Sequence, residues 1–337
     1  MTRPADEGFY MPAEWERHHR CWMAWPCREQ TWNGTLSRAQ MLYAEIAQAI
    51  SQFEPVSMIC PPAEVVDASL ACGSGVEILP LALDDSWLRD TGPGFLLDGR
   101  GRAAGVQWQF NGWGGRLQPH AADAALAGSL LRHLNLPAFE APLVLEGGAV
   151  LCDGEGTLIT TEQCLLNPNR NPNLDRRQIE ELLKDYLGVS TVIWLAEGYQ
   201  DDETDGHADE IACFVRPGVV LALTTDDPGD GNFASFHDNL DRLQHARDAQ
   251  GRELEVIPIR QPARRDQRGR RLTLSYTNLY IANDGVIIPG FHDPADSEAF
   301  RTLRRLFPGR AVVQIPVDDL VVGGGGIHCI TLAQPAP

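Results

Sequence analysis

The sequence predicts an α/β fold made by repeating one supersecondary unit, and three observations carry that prediction. First, a short apolar strand running into a polar or glycine-rich turn recurs along the chain. It reads VEILPLALDDSWLRDTGP at 76–93, APLVLEGGAV at 141–150, STVIWLAEGYQDDETDGHADE at 190–210, LEVIPIRQPAR at 254–264 and RAVVQIPVDDLVVGGGGIHC at 310–329. The spacing is irregular, about 50–65 residues, as insertions in a repeated unit would make it. Second, stretches of helical periodicity lie between these strands. Third, further short runs rich in valine and isoleucine, CFVRPGVVLALT at 213–224 and DGVIIPGF at 284–291, read as additional strands.

Each helix has its own justification. Leu36 to Phe53 places Met41, Leu42, Ile46, Ala49 and Ile50 on one face at a period near 3.6. Similar patterns cover Ala121 to Leu134, Asp175 to Leu187, Asn232 to Ala249 and Ala295 to Leu306. For the third of these, Asn173 or Asp175 is the expected cap and Gly188 the stop. A circular arrangement of such units would bring the polar turns to one face around an axis. A doubly wound open sheet would also gather them, at the carboxyl ends of its strands, and periodicity does not separate the two. Without a low-complexity segment or long linker, residues 1–337 read as one catalytic domain.

Composition narrows the function. With 46 acidic against 28 basic residues and a formal charge of −18, the chain as a whole repels nucleic acid and anionic membranes and attracts small cations. The basic run Arg264 to Arg271 is short and is expected to be an exposed loop. The eight cysteines include no C-x-x-C pair, so zinc-ribbon and thioredoxin-type readings lack support, and free, mostly buried thiols are expected. His18, His19 and Cys21 are read as a surface turn and a core cysteine rather than metal ligands. The N-terminal segment carries acids and no apolar h-region, and no stretch approaches the roughly 18 apolar residues of a membrane span, so a cytoplasmic protein is expected.

Four turns carry chemistry. In GGGGIHCIT, four glycines ending at Gly326 let a ligand approach without Cβ interference, and Cys329 follows as an accessible nucleophile. His328 is expected to point elsewhere and to be structural. In DGHADE, an extended backbone would put His207 and Asp209 on one face, an imidazole beside a carboxylate. In DDSWLRDTGPGF, Asp85 and Asp90 flank Trp87, a combination that suits a planar cation. Glu146 of LEGGAV stands at a strand end, where it can orient His207 and favour its protonated form. Guanidinium hydrolysis uses all four together: carboxylates bind the cation, a thiolate attacks its carbon, and a histidine donates and then abstracts a proton. No step needs a metal or an organic cofactor.

These residues resemble the agmatine deiminases, within the guanidine-modifying superfamily that also holds arginine and peptidylarginine deiminases. Seven motifs carry the resemblance in order: MPAEWERHHRCWMAWP (11–26), DDSWLRDTGP, FNGWGG (110–115), LEGG, CLLNPNRNP (164–172), TDGHADE and GGGGIHCIT. The resemblance implies a five-bladed α/β-propeller, which is the circular arrangement. It also implies Cys329 as nucleophile, His207 as acid/base, Asp90 and Asp209 as the guanidinium clamp, and Glu146 as support for His207. A cationic guanidine, agmatine, would be the substrate. Glu203 matches the acid expected at its ammonium tail, with Asp202 and Asp205 nearby, and Trp87 and Trp113 would line its aliphatic chain. Arg116, where the family more often has lysine, and Arg170 are read as structural. Deimination of peptidyl-arginine or another alkylguanidine is the alternative with the same chemistry. A non-catalytic guanidinium-binding scaffold is the alternative without it. Whether copies assemble into a homo-oligomer is left open by the sequence.

Overall fold

A computed structural model describes residues 2–267 and 269–337. Among them, four sheets share one plan: a first strand antiparallel to the second, and the second parallel to the third. They are Gly94–Leu97, Ala103–Gln109 and Ala138–Val144; Leu151–Cys152, Thr157–Thr161 and Thr191–Leu195; Ala212–Arg216, Val219–Thr224 and Glu255–Arg260; and Tyr280–Ile281, Gly285–Gly290 and Ala311–Pro316. The fifth has the same plan but is built from both ends of the chain. Thr331–Pro335 runs antiparallel to His18–Ala24, which pairs in parallel with Val56–Cys60. A fourth strand, Val76–Pro80, is added to this sheet alone, after the helix Val65–Cys72. The fold is thus a five-bladed ring, and pairing of the chain ends closes it.

Parallel neighbours cannot be joined by a tight hairpin, so a crossover must link the second and third strand of each blade. The five crossovers contain the helices Leu36–Ile50, Ala121–His133, Arg176–Leu187, Phe233–His245 and Asp296–Leu306. These are the periodic stretches of the sequence, trimmed at their ends. Arg176–Leu187 is capped by Asp175, not Asn173: its side chain accepts from the Gln178 amide at 2.8 Å, while the Gln178 side chain accepts from the Asp175 amide at 2.9 Å. Gly188 ends it in the left-handed region, φ 65°. The middle strands Val219–Thr224, Gly285–Gly290 and Thr157–Thr161 are buried along nearly their whole length, because helices and neighbouring blades cover both faces.

Two expectations need correction, and one helix was not expected. His18 does not lie on a surface turn; it is buried in the first strand, with Nδ1 3.1 Å from a Glu54 oxygen. Its partner Glu54 also accepts from the Tyr280 hydroxyl at 2.6 Å and the Asn283 amide at 2.7 Å, so it ties the last blade to the first beside the ring closure. Nor is the basic run simply an exposed loop. It forms a hairpin, Asp266–Gln267 with Arg270–Arg271, and buries Arg271 in a two-pronged contact with Asp230 at 2.7 and 2.9 Å; Arg268 lies outside the described residues. Finally, the helix Val65–Cys72 has no periodic signal in the sequence that would have announced it. The cysteines are all free and, apart from the half-buried Cys27, buried, and no helix among the described residues is long and apolar enough to cross a membrane.

Removing Glu54 would leave a buried imidazole, a phenol and an amide without their shared acceptor. We expect Glu54→Ala to cost about 3 kcal/mol or more of stability, read as a lower urea midpoint. An unchanged midpoint would remove this cluster from ring closure.

Candidate active site

The third strands of the blades all end on one face, and the turns that leave them build a single site. After the added strand Val76–Pro80, the turn and the short helix Leu88–Thr91 carry Trp87 and Asp90. The turns after Ala138–Val144, Thr191–Leu195 and Ala311–Pro316 carry Glu146, His207 with Asp209, and Cys329. The remaining inter-blade segment, after Glu255–Arg260, supplies Asn278, which the sequence motifs do not single out. The regular position of a polar turn after every such strand was the signal that could have found it.

The sulfur of Cys329 is buried among donors and acids. Asn278 Nδ2 lies 3.2 Å and the Gly326 amide 3.4 Å from Sγ, while Glu210 Oε1 is at 3.3 Å and Asp209 Oδ2 at 3.7 Å. Gly326 does more than leave room for a ligand, since a Cβ there would stand 2.4 Å from Asn278 Oδ1 and push that donor off the sulfur. Burial, then the carboxylates of Asp209, Glu210 and Asp90, drive the thiol well above its ordinary value.

Asp90 and Asp209 are held by separate sets of donors. Asp90 Oδ1 accepts from the Gly148 amide at 3.0 Å, and Oδ2 from Trp113 Nε1 at 2.9 Å. That second bond explains the FNGWGG turn. Trp113 adopts a left-handed backbone, φ 52°, rare for a bulky residue, and the turn is fixed by the Asn111 side chain accepting from the Gly114 amide at 2.8 Å. Asp209 Oδ2 accepts from His328 Nδ1 at 2.8 Å; His328 Nε2 reaches Glu14 Oε1 at 2.7 Å, and Glu14 pairs with Arg89 at 2.7 Å. His328 is expected from the sequence to point elsewhere; instead its ring holds an acid of the site.

His207 sits at the start of a 3-10 turn, Ala208–Glu210, rather than in an extended strand. The turn still brings it to Asp209: Nδ1 is 3.8 Å from Asp90 Oδ1 and 4.0 Å from Asp209 Oδ1, and Nε2 is 3.8 Å from Glu146 Oε2. Burial works against the imidazolium, but Asp90, Cys164 and Glu146 outweigh it and hold His207 well above its usual range. Burial likewise works against the Glu146 carboxylate, but His207 and Arg170 pull it down overall. Arg170 has a wholly buried side chain, 2.7 Å from both Glu146 and Asp205. Arg116 pairs with Asp205 at 2.5 Å but also lines the cavity.

Among the described residues, three buried atoms here have no hydrogen-bond partner: His207 Nε2, Glu146 Oε2 and Asp209 Oδ1. Unsatisfied buried polar atoms are costly and mark places where a ligand completes the bonding. A Cβ on Gly148 would come within 2.6 Å of His207 Nδ1 and 3.0 Å of Asp90 Oδ1, so only glycine leaves this space open.

The cavity leading to Cys329 has a volume of about 900 Å³ and is lined by Trp87, Asp90, Trp113, Glu203 and Arg270. Trp87 stacks on Trp32 with ring centroids 5.7 Å apart. Glu203 stands at the mouth, ion-paired with Arg270 of the hairpin. Two triads, Glu146–Cys164–His207 and Asp209–Glu210–Cys329, have ligand atoms within 4.8 Å of one another. Yet the N–H groups of Asn278 and Gly326 face Sγ, and Arg170 already occupies Glu146. An organic cation whose own N–H groups can be accepted by the carboxylates fits this donor set better than a metal ion.

The raised thiol makes a test. Iodoacetamide labelling of Cys329 in the free protein should be slow at neutral pH and keep rising past about 8.5, where an ordinary thiol titrates. A rate that levels off at neutral pH would show a thiolate already present.

Residues 10–335 match the family described as Porphyromonas-type peptidyl-arginine deiminase. A relative from Legionella pneumophila is 47% identical over 337 residues, covering 99% of this chain and 97% of that protein. The agmatine deiminase of Pseudomonas putida F1 is 43% identical over 360 residues, covering 100% of this chain and 98% of its own. Among solved structures, the agmatine deiminase of Enterococcus faecalis superposes with a TM-score of 0.97 at 33% identity, covering 100% and 98% of the two chains.

Proposed function

The chain belongs to the Porphyromonas-type peptidyl-arginine deiminase family and is an agmatine deiminase within it, and on that basis we propose how its residues carry out the reaction. The observation that carries the mechanism is one buried chain of short distances: Cys329 Sγ lies 3.7 Å from Asp209, His207 lies 3.8 Å from Asp90, 4.0 Å from Asp209 and 3.8 Å from Glu146, and Asp90 and Cys329 line the cavity.

The guanidinium of agmatine lies between Asp90 and Asp209, each accepting from its N–H groups. Its positive charge then stands beside Sγ and offsets the burial and the carboxylates that keep the thiol protonated. Sulfur attacks the central carbon. His207, held as imidazolium by its acidic neighbours, protonates the departing nitrogen, and ammonia leaves a thiouronium on Cys329. The neutral imidazole then takes a proton from water as its oxygen adds to the same carbon. Collapse releases N-carbamoylputrescine and frees the sulfur. Glu146 and Arg170 are positioning residues that keep His207 charged and oriented. Such a product feeds putrescine formation, so the enzyme works in polyamine synthesis or agmatine breakdown.

At the far end of the cavity, Glu203 is the acid for the ammonium tail, and the tail would take the place that Arg270 holds on it. Trp87 and Trp113 flank the path between the two ends. Trp113 also holds Asp90, so it couples the wall of the cavity to the guanidinium clamp.

Purified protein should form ureido product from agmatine, and little from free arginine or a blocked arginyl peptide. Preference for the peptide would overturn the tail assignment while keeping the chemistry. Cys329→Ser should abolish turnover yet still bind agmatine, measured calorimetrically; substantial residual turnover would refute the nucleophile. Because Glu203 is half exposed, its contribution is screened. Glu203→Gln should raise KM for agmatine roughly five- to tenfold, and leave a neutral-tailed alkylguanidine unaffected. Equal losses on both substrates would remove Glu203 from the tail site.

A further inference from the structure

The mechanism leaves one proton without a destination. Sulfur must lose its hydrogen as it attacks, and His207 cannot take it, since the carboxylates around it keep that imidazole charged until the leaving nitrogen is protonated. Nor, among the described residues, is His207 one of the groups within hydrogen-bond reach of Sγ; those are Asn278, the Gly326 amide, Glu210 and Asp209. The first two are donors. Asp209 is occupied by His328 and, with substrate present, by the guanidinium. Glu210 remains. Its Oε1 lies 3.3 Å from Sγ, its side chain is buried, and among the described residues no arginine, lysine or histidine pairs with it.

We propose that Glu210 is the base that accepts the Cys329 proton as sulfur attacks. The inference rests on the deiminase reading above. In the free protein, burial together with Asp209 and Asp202 holds the Glu210 carboxyl well above its ordinary value, with Cys329 and His207 pulling the other way. A guanidinium brought beside it favours the carboxylate, and the proton that Glu210 carries in the free protein passes to solvent as the cation enters and returns when the product leaves.

The proton count then closes. As the S–C bond forms, the S–H proton passes to the Glu210 carboxylate and the guanidinium π electrons move to nitrogen. His207 gives its proton to the departing nitrogen and regains one from water. When the C–S bond breaks, sulfur recovers its proton from Glu210, and the proton left on the ureido oxygen goes to the released ammonia.

The experiment compares the wild type with Glu210→Gln and Glu210→Asp in two assays. In agmatine turnover, Glu210→Gln should lose about 100-fold or more in kcat, with KM changed less than about threefold. Its residual rate should climb with pH as hydroxide replaces the missing base. Glu210→Asp, which keeps a carboxylate, should recover part of the loss. In the second assay, Cys329 is alkylated with 2-chloroacetamidine, which carries a cationic amidinium, and with neutral chloroacetamide. The wild type should favour the amidine. Glu210→Gln should lose most of that preference in the maximal rate rather than in the half-saturating concentration, and keep its reactivity toward the amide. A Glu210→Gln enzyme with normal kcat, or one slowed equally toward both reagents with an unshifted pH profile, would overturn the proposal. A wild type inert toward agmatine but with amidine labelling dependent on Glu210 would count against the substrate and leave the base in place.

Discussion

The second and third strands of every blade run parallel, and most of the architecture depends on that one constraint. A parallel pair needs a crossover, here a helix laid across the outside of the ring, and the third strand then always ends on the same face. Five inter-blade segments therefore meet at one place although their residues are far apart in the chain. Asp90, Glu146, His207, Asn278 and Cys329 each come from a different one of them. The pairing of Thr331–Pro335 with His18–Ala24 closes the circle and sets the nucleophile, a few residues before that last strand, against the others.

Gathering so many acids in a dry space is unfavourable unless each is answered. The protein answers them from behind, with Arg170 on Glu146, His328 and Glu14 on the far side of Asp209, and Trp113 with the Gly148 amide on Asp90. Among the described residues, His207 Nε2, Glu146 Oε2 and Asp209 Oδ1 are left without a hydrogen bond. The carboxylates of the empty site are thus short of positive charge, which a guanidinium supplies. The same deficit lifts His207 and the Cys329 thiol, so the acid is ready before binding and the nucleophile is not.

The fold extends beyond close sequence likeness. DDAH of Pseudomonas aeruginosa shares the fold at a TM-score of 0.50 and 14% identity, over 94% of this chain and 99% of that one. The ring plan is therefore a scaffold on which different turns can be grafted, and specificity must be sought in those turns. In this chain the hairpin Asp266–Gln267 with Arg270–Arg271, which brings Arg270 onto Glu203 at the cavity mouth, is one such feature.

The repeating unit, the five crossover helices to within a few residues, and the turns that hold Cys329, His207, Asp90, Asp209 and Glu146 were all legible in the sequence alone. These are local properties, written in apolar periodicity, caps and glycine runs, and they survive any arrangement of the units. Tertiary structure resolved the points on which local rules are silent. Alternation along an extended strand puts His207 and Asp209 together and would send Glu210 to the opposite side; the 3-10 turn actually formed brings Asp209 and Glu210 alike to the sulfur. Asn278 lies in a segment with no chemical signature of its own and matters only because the ring delivers it to Sγ. His18 resembled a surface residue until the two ends of the chain paired and buried it with Glu54. Each of these depends on contacts between residues distant in sequence, and a period counted along the chain carries no information about them.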